Sequence, residues 1–424
     1  MIIQFNIKNY KSFRDEVSLD LSATKITEHI DHIVEISNDK ILKLAAIYGA
    51  NASGKSNIFE AFEYMTYYVL NSFKFGGENS NSKKDSNNYR KVEPFNFDKK
   101  SVEKETTFEV FFIDNKDTNE KTYQYGFSLK HNEVVEEWLF YKSKTSREYR
   151  TIFYRKKGEE IEFNGIPKSS IENLKVALEK EVLLISLGAK LKVNKLKKIR
   201  DWFNKNEVIN FGDPMEAYLS SLLIPNNFAD DRLEQKKVVE YFATFDNSIK
   251  DFKVEKLPTD DKKKDDNYSI DTLHKVIDSD ELTELPLRKE SSGTLKMFSL
   301  YPSIYDVIKN GSTLFIDELN ARLHPLLVRN IILTFINPEI NINNSQIIFT
   351  THDVWQLSNE LLRRDEIWLV EKDVNGISNL YSLAEFKDEN GNKIRKDEVF
   401  EKNYLIGNYG AIPSLKSMSF LKGE

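Results

Sequence analysis

The residues Gly49-Ala-Asn-Ala-Ser-Gly-Lys-Ser56 combine the types and spacing that phosphate chemistry needs. Two glycines let the backbone curl so that successive N–H groups point into one concavity, where phosphate oxygens can be cradled. Lys55 supplies a mobile cation for the β- and γ-phosphates, and the Ser56 hydroxyl supplies a ligand for Mg²⁺. Gly49, Asn51, Gly54, Lys55, Ser56 and Asn57 form the expected nucleotide-binding set, and ATP and Mg²⁺ are the expected cofactors.

Thr313-Leu-Phe-Ile-Asp-Glu318 is an apolar run that ends in two carboxylates. Adjacent acids at the end of a buried strand are costly unless a cation lies near them. Asp317 is expected to hold Mg²⁺ through water, and Glu318 to polarise an attacking water as a general base. Glu290-Ser-Ser-Gly-Thr294 precedes a helical run, so Ser291, Ser292 and Gly293 offer hydroxyls and free N–H groups as a second anion site. The same turn is also an ordinary helix cap. Ile347-Ile-Phe-Thr-Thr-His352 ends a further apolar strand, and His352 is one of six histidines.

These groups need elements to carry them. Residues 41–48 form a continuous apolar run, the pattern of a strand buried on both faces, and helical spacing over 57–73 follows the glycine loop. Residues 2–6 and 17–21 read as short strands. Alternation over 106–154 reads as antiparallel strands beside the first sheet, and 313–316, 346–350 and 366–370 as further strands. Residues 75–91 and 254–268 read as surface loops or hairpin tips. Residues 171–245 read as mostly helical. The expected fold is α/β: a P-loop ATPase head of mixed sheet and antiparallel β-subdomain with an inserted, mainly helical subdomain. Its divisions are an N-terminal lobe over 1–165, a helical insertion over 166–250 and a C-terminal lobe over 251–424.

Composition narrows the classes. The 424 residues are 40% hydrophobic, enough for a large core, and contain no cysteine, which removes disulfides, thiolate metal sites and cysteine nucleophiles. A net charge of −6 argues against a protein that coats nucleic acid or anionic membrane over its whole surface. No apolar run is long enough to span a bilayer and the start does not read as a signal peptide, so a cytoplasmic location is expected. Lys190 to Lys205 reads as a basic amphipathic helix with Leu191, Leu196, Ile199 and Phe203 on its buried stripe. Its charged face suits nucleic acid or an acidic partner, or is simply solvated. Trp138, Trp202 and Trp355 read as core residues.

The order of phosphate loop, Ser-Ser-Gly turn, Asp-Glu pair and histidine resembles that of the ABC-class ATPases, which include structural-maintenance and recombination-repair ATPases. The resemblance implies that Ser291 to Gly293 are the signature motif, Asn320 to Leu323 the loop after the catalytic glutamate, and His352 the switch histidine. It further implies a homodimer facing head to tail, with each ATP between Lys55, Asp317 and Glu318 of one protomer and Ser291–Gly293 of its partner. The turn departs from the full Leu-Ser-Gly-Gly-Gln signature, and the lid glutamine is left unassigned. Asp317-Glu-Leu-Asn-Ala-Arg-Leu-His-Pro325, Ile7-Lys-Asn-Tyr-Lys-Ser-Phe13 and Tyr404-Leu-Ile-Gly-Asn-Tyr-Gly-Ala-Ile-Pro413 resemble, more narrowly, the RloA-like ATPases of bacterial abortive-infection and phage-defence systems, kin to the overcoming-lysogenization-defect ATPases. That resemblance implies a separate effector protein, often a nuclease, since residues after His352 leave little room for a fused nuclease domain. A DNA-binding repair ATPase and a nucleotide-dependent scaffold without turnover stay open beside it.

Overall fold

The computed structural model describes residues 1–76, 91–114, 117, 120–146, 148–213, 224–225, 227–257, 268–387 and 391–413. Two large sheets face each other across one helix. The first is antiparallel, in the order β10 (Glu162–Phe163), β9 (Arg150–Lys156), β8 (Glu133–Lys142), β7 (Thr122–Lys130), β6 (Thr106–Ile113), β1 (Ile2–Lys8) and β2 (Val17–Asp20). The second runs β11 (Glu207–Asn210), β15 (Thr313–Asp317), β16 (Gln346–Thr350), β5 (Leu44–Gly49), β17 (Ile367–Lys372) and β18 (Ser378–Ser382). It is parallel throughout except for the β17–β18 pair. Two smaller units complete the strands. They are a hairpin of β3 (Ile33–Ile36) and β4 (Asp39–Leu42), and an antiparallel sheet of β12 (Ile249–Lys256), β13 (Tyr268–Lys275) and β14 (Leu282–Pro286).

Strand β5 shows why the layers form. All six of its residues are buried, and because side chains alternate, Ala45 and Ile47 enter one core while Leu44, Ala46 and Tyr48 enter another. Helix α1 (Lys55–Asn71) fills the first of these, between the two sheets. Its Phe62 meets Phe5 of the antiparallel sheet edge-on at 5.4 Å and Phe315 of the parallel sheet at 5.7 Å. Gln346 staples the sheets together: its amide donates to the carbonyls of Ile2 and Leu42, and its oxygen accepts from Ile2 N–H and Thr313 Oγ1.

The segment expected as a helical insertion is more interwoven than that. Helices α2 (Lys168–Ala177), α3 (Leu184–Lys190) and α4 (Asn194–Asn204) pack into the first core, where Trp202 lies 3.8 Å from Phe112. β11 then joins the parallel sheet as its edge strand beside β15. A run of only four residues carries too little alternation to announce a strand. Beyond it, α5 (Arg232–Ala243) packs with β12 and with Phe298 and Tyr301 of helix α6 (Ser292–Asn310) in a third core. A division at residue 250 therefore cuts through a packed unit. The basic stretch is also two helices, because Lys192 adopts a left-handed φ of 60° and turns the chain, leaving Leu191 exposed instead of on the buried stripe. The strands β12 and β13 lie where part of a loop over 254–268 was expected, and residues 77–90 and 258–267 lie outside the described residues.

One polar group in the first core responds to pH. Glu137 is fully buried, accepts the N–H groups of Leu184 and Ile185 and the Tyr125 hydroxyl, and has Arg155 at 3.8 Å. Desolvation pushes its carboxyl up to about 7, with Arg155 pulling it back. The folded state thus holds this proton more tightly than the unfolded chain. The stabilisation is complete below the ordinary value of 4.5 and is lost as pH rises through the folded value, amounting to roughly 3 kcal/mol at most. The urea midpoint of the wild type should fall relative to that of Glu137→Gln between about pH 5 and about pH 7.5. An unchanging offset would show that Glu137 stays ionised in the core.

Candidate functional site

Strand β5 delivers its carboxyl end straight into the glycine loop, and α1 begins at Lys55. Gly54 has φ 111°, a conformation that L side chains rarely adopt, and a Cβ there would strike the hydroxyls of Ser12 and Ser378. A Cβ on Gly49 would strike the Val370 carbonyl and Ser53 Oγ. The loop is held from beneath: Ser378 Oγ bonds the Ser53 carbonyl at 2.5 Å and Ser12 Oγ at 2.7 Å. Asn57 donates its amide to Ser12 Oγ at 2.6 Å, so that side chain braces the loop, while Asn51 is exposed.

Within the loop, Lys55 Nζ donates to the carbonyls of Gly49 and Ala50 at 2.8 and 2.9 Å. Desolvation pushes the ammonium down to about 8, and the fields of Asp317 and Glu318 only partly offset this. Ser53 Oγ is buried without a hydrogen-bond partner. A desolvated cation, an unsatisfied hydroxyl and a backbone concavity closed to any Cβ are what a bound polyphosphate would satisfy. The residues therefore fit Mg·ATP, with Lys55 and the loop N–H groups available to the phosphates and Ser56 and Asp317 to the metal ion.

The acid pair sits on the tip of β15. Thr350, at the tip of the neighbouring β16, donates its hydroxyl to Asp317 Oδ1 at 2.5 Å and accepts the Glu318 N–H at 2.8 Å. One hydroxyl thus orients the buried Asp317 carboxylate and the backbone of Glu318, whose φ of 52° is left-handed. The loop after it is fastened to the next strand, since Asn320 Oδ1 accepts from Thr351 Oγ1 at 2.9 Å and from His352 N–H at 3.2 Å. The His352 imidazole is depressed below its ordinary value, first by desolvation and then by Lys55, with Asp317 opposing. Lys55, Asp317, Glu318 and His352 thus act on one another electrostatically at one edge of the sheet.

The Ser-Ser-Gly turn opens α6. Ser291 is the helix cap, accepting Thr294 N–H at 3.1 Å, and the residues Ser291 and Ser292 are exposed. Gly293 lies against the Arg322 carbonyl, in the loop after Glu318. The described contacts of the turn run to Thr294 and Arg322. One helical turn on, Lys296 is buried and donates to the carbonyls of Leu319 and Ala321 at 2.9 and 2.7 Å, over the Phe211 ring at 3.9 Å. Burial pushes its ammonium down to about 7. This lysine ties the signature-like helix to the loop that follows the acid pair.

Sequence reasoning missed Lys296, Thr350, Ser12 and Ser378. Each is a polar residue in or beside an apolar run, which was the available signal. Gln124 donates to Glu109 on the antiparallel sheet at 2.7 Å, and the lid position stays unassigned. Trp355, expected in the core, is instead 42% exposed, with the Arg329 guanidinium 5.3 Å from its ring. The C-terminal stretch braces the loop strand: Tyr404 packs edge-on against Tyr48 at 6.2 Å, and the Tyr409 carbonyl accepts the Tyr381 hydroxyl at 2.8 Å.

A phosphate loop after a parallel strand, with an acid pair at the tip of the strand next but one in the same sheet, defines a P-loop nucleotide-binding fold. A family model described as "AAA domain, putative AbiEii toxin, Type IV TA system" matches residues 44–354, and the chain belongs to that family. Among solved structures, the chain is similar to the SmcHead bound to the C-winged helix domain of ScpA. The two are 15% identical, with 90% of this chain and 97% of that chain covered and a TM-score of 0.42. No curated protein matches the chain. Among the described residues, no helix is long and apolar enough to cross a membrane.

Thr350→Val keeps the shape of the β16 tip but leaves two polar groups short of a partner. It should lower the unfolding free energy by about 1–3 kcal/mol, read from urea denaturation monitored by far-ultraviolet circular dichroism. A neutral substitution would mean that water replaces the hydroxyl at no cost.

Proposed function

We propose that the protein binds and hydrolyses ATP, closing as a homodimer around the nucleotide, and serves as the sensor and regulatory subunit of a bacterial anti-phage system that controls a separate effector protein. The observation that carries the reading is the meeting of Lys55, Asp317, Glu318 and His352 at one sheet edge. Bound Mg²⁺ would neutralise phosphate charge as it develops. Lys55 and the loop N–H groups hold the phosphates in place, and Glu318, oriented through Thr350, takes the proton from the attacking water. His352, whose protonated form is disfavoured by burial and by Lys55, is suited to hydrogen-bond near the same oxygen atoms.

The exposed Ser292 supports the dimer, because its hydroxyl can meet a nucleotide held by a second copy, whereas Ser291 Oγ is engaged with Thr294 at the helix cap. Lys296 then links that contact to the loop beside Glu318. The defence role rests on the "putative AbiEii toxin" named in the family description and on the sequence resemblance. The rival in which the helical region grips DNA is weakened by pairing within the protein. Lys198 meets Asp117 at 2.6 Å and Lys205 meets Asp114 at 3.7 Å, so part of the basic face is already neutralised.

Lys55→Ala should abolish ATP binding in calorimetry. Glu318→Gln should bind ATP but lose turnover by at least about a hundredfold. In light scattering, Glu318→Gln should double its mass on addition of Mg·ATP. A mass indifferent to nucleotide would remove the composite site, and turnover retained in both variants would remove the site assignment altogether.

A further inference from the structure

We propose that His29, Asp31 and His32 form a binding site for a zinc-type divalent metal ion, far along the sheet from the nucleotide edge. A ring nitrogen from each histidine and a carboxylate oxygen of Asp31 lie within 4.8 Å of one another. The hydrogen bonds around the rings fix which nitrogens are available. His29 Nε2 faces the Asn359 carbonyl at 2.8 Å; a carbonyl only accepts, so Nε2 carries the proton and Nδ1 keeps a bare lone pair. His32 Nδ1 lies 3.0 Å from both oxygens of Glu366, and one of those oxygens also accepts Arg363 N–H at 2.9 Å. With Glu366 ionised, both its oxygens accept and Nδ1 is the donor, which leaves the His32 Nε2 lone pair for an ion in a residue that is 1% exposed.

This is the outer shell that metal-binding histidines need: each ring donates its far N–H to a carbonyl or carboxylate, which sets the tautomer and aims the other nitrogen. The His29 and His32 rings are stacked, with centroids 5.0 Å apart and 25° between their planes, so binding an ion between them requires a turn of the less buried His29 ring. Two imidazoles and one carboxylate suit zinc, cobalt or nickel, whereas magnesium and calcium prefer oxygen alone. The Lys43 ammonium is engaged with the Asp31 main-chain carbonyl at 2.9 Å, which leaves the Asp31 side chain to the ion.

The site joins segments far apart in the chain. His29 and His32 precede the β3–β4 hairpin, while Asn359 and Glu366 lead into β17. The hairpin runs on into Leu44, the end of β5 remote from Gly49. A bound ion would clamp the base of the loop strand and add stability without touching nucleotide.

The test uses the full chain, stripped with EDTA, freed of chelator and titrated with Zn²⁺ in calorimetry, with the thermal midpoint read in parallel. Saturable uptake of one zinc per chain and a raised midpoint are expected. The exposed Asp31→Asn should lose affinity by about tenfold or more with its zinc-free midpoint near wild type, and His29→Ala should lose saturable uptake. Lys55→Ala should bind zinc like wild type, which separates this site from the nucleotide reading. Absence of one-to-one uptake, or uptake by His29→Ala equal to wild type, would overturn the proposal.

Discussion

The parallel register of three strands governs the molecule. Ile316 pairs across to Phe349, and Phe349 to Ala46, so the tips of β15, β16 and β5 leave the sheet side by side. Parallel strands all expose their carboxyl ends at one edge, and ligands of such sheets gather there. Gly49, Asp317 and Thr350 are neighbours for that reason alone, although long stretches of chain separate them. Everything else serves to keep those strands in register: Gln346 as a polar staple, Phe62 as an apolar wedge, and alternation along β5 that commits each residue to one core or the other.

The parts that could be read in the sequence follow from this periodicity. Uninterrupted apolar runs around Leu44–Gly49, Thr313–Asp317 and Gln346–Thr350 announce strands buried on both faces, and the residues ending them announce the site. Lys55, Asp317, Glu318 and His352 could be singled out as candidates because their chemistry is carried by residue type and local order. What could not be read depends on tertiary partners. Thr350 and Ser378 look like ordinary strand residues until the acids and the glycine loop are placed beside them. Lys296 looks like a surface lysine on a helix until the loop after Glu318 folds over it. β11 is too short to show a period, and it gains its identity only from the β15 edge it covers.

Electrostatics is concentrated where water is scarce. Lys55 and Lys296 are both buried ammoniums held chiefly by backbone carbonyls instead of carboxylates. Desolvation by burial pulls both lysines below the ordinary lysine value, and the surrounding carbonyl dipoles compensate it less fully than an ion pair would. An edge built this way is short of negative charge on one side and, at Asp317 and Glu318, supplied with it on the other. The fold keeps the two signs apart and fixed, a preorganised field in place of a neutralised one.

Helix α6 is a wall shared by two rooms. Met297, Leu300, Ile304 and Val307 belong to the core beneath the parallel sheet, whereas Phe298 and Tyr301 belong to the core under the three-stranded sheet. At its start, Glu290 accepts hydrogen bonds from Thr272 and His274 of that same small sheet. The helix cannot tilt without dragging both rooms, and neither can shift without moving Ser291 to Gly293. The small sheet is thus joined by unbroken contacts, through Glu290 and the helix, to the Ser-Ser-Gly turn and, through Lys296, to the loop beside Glu318.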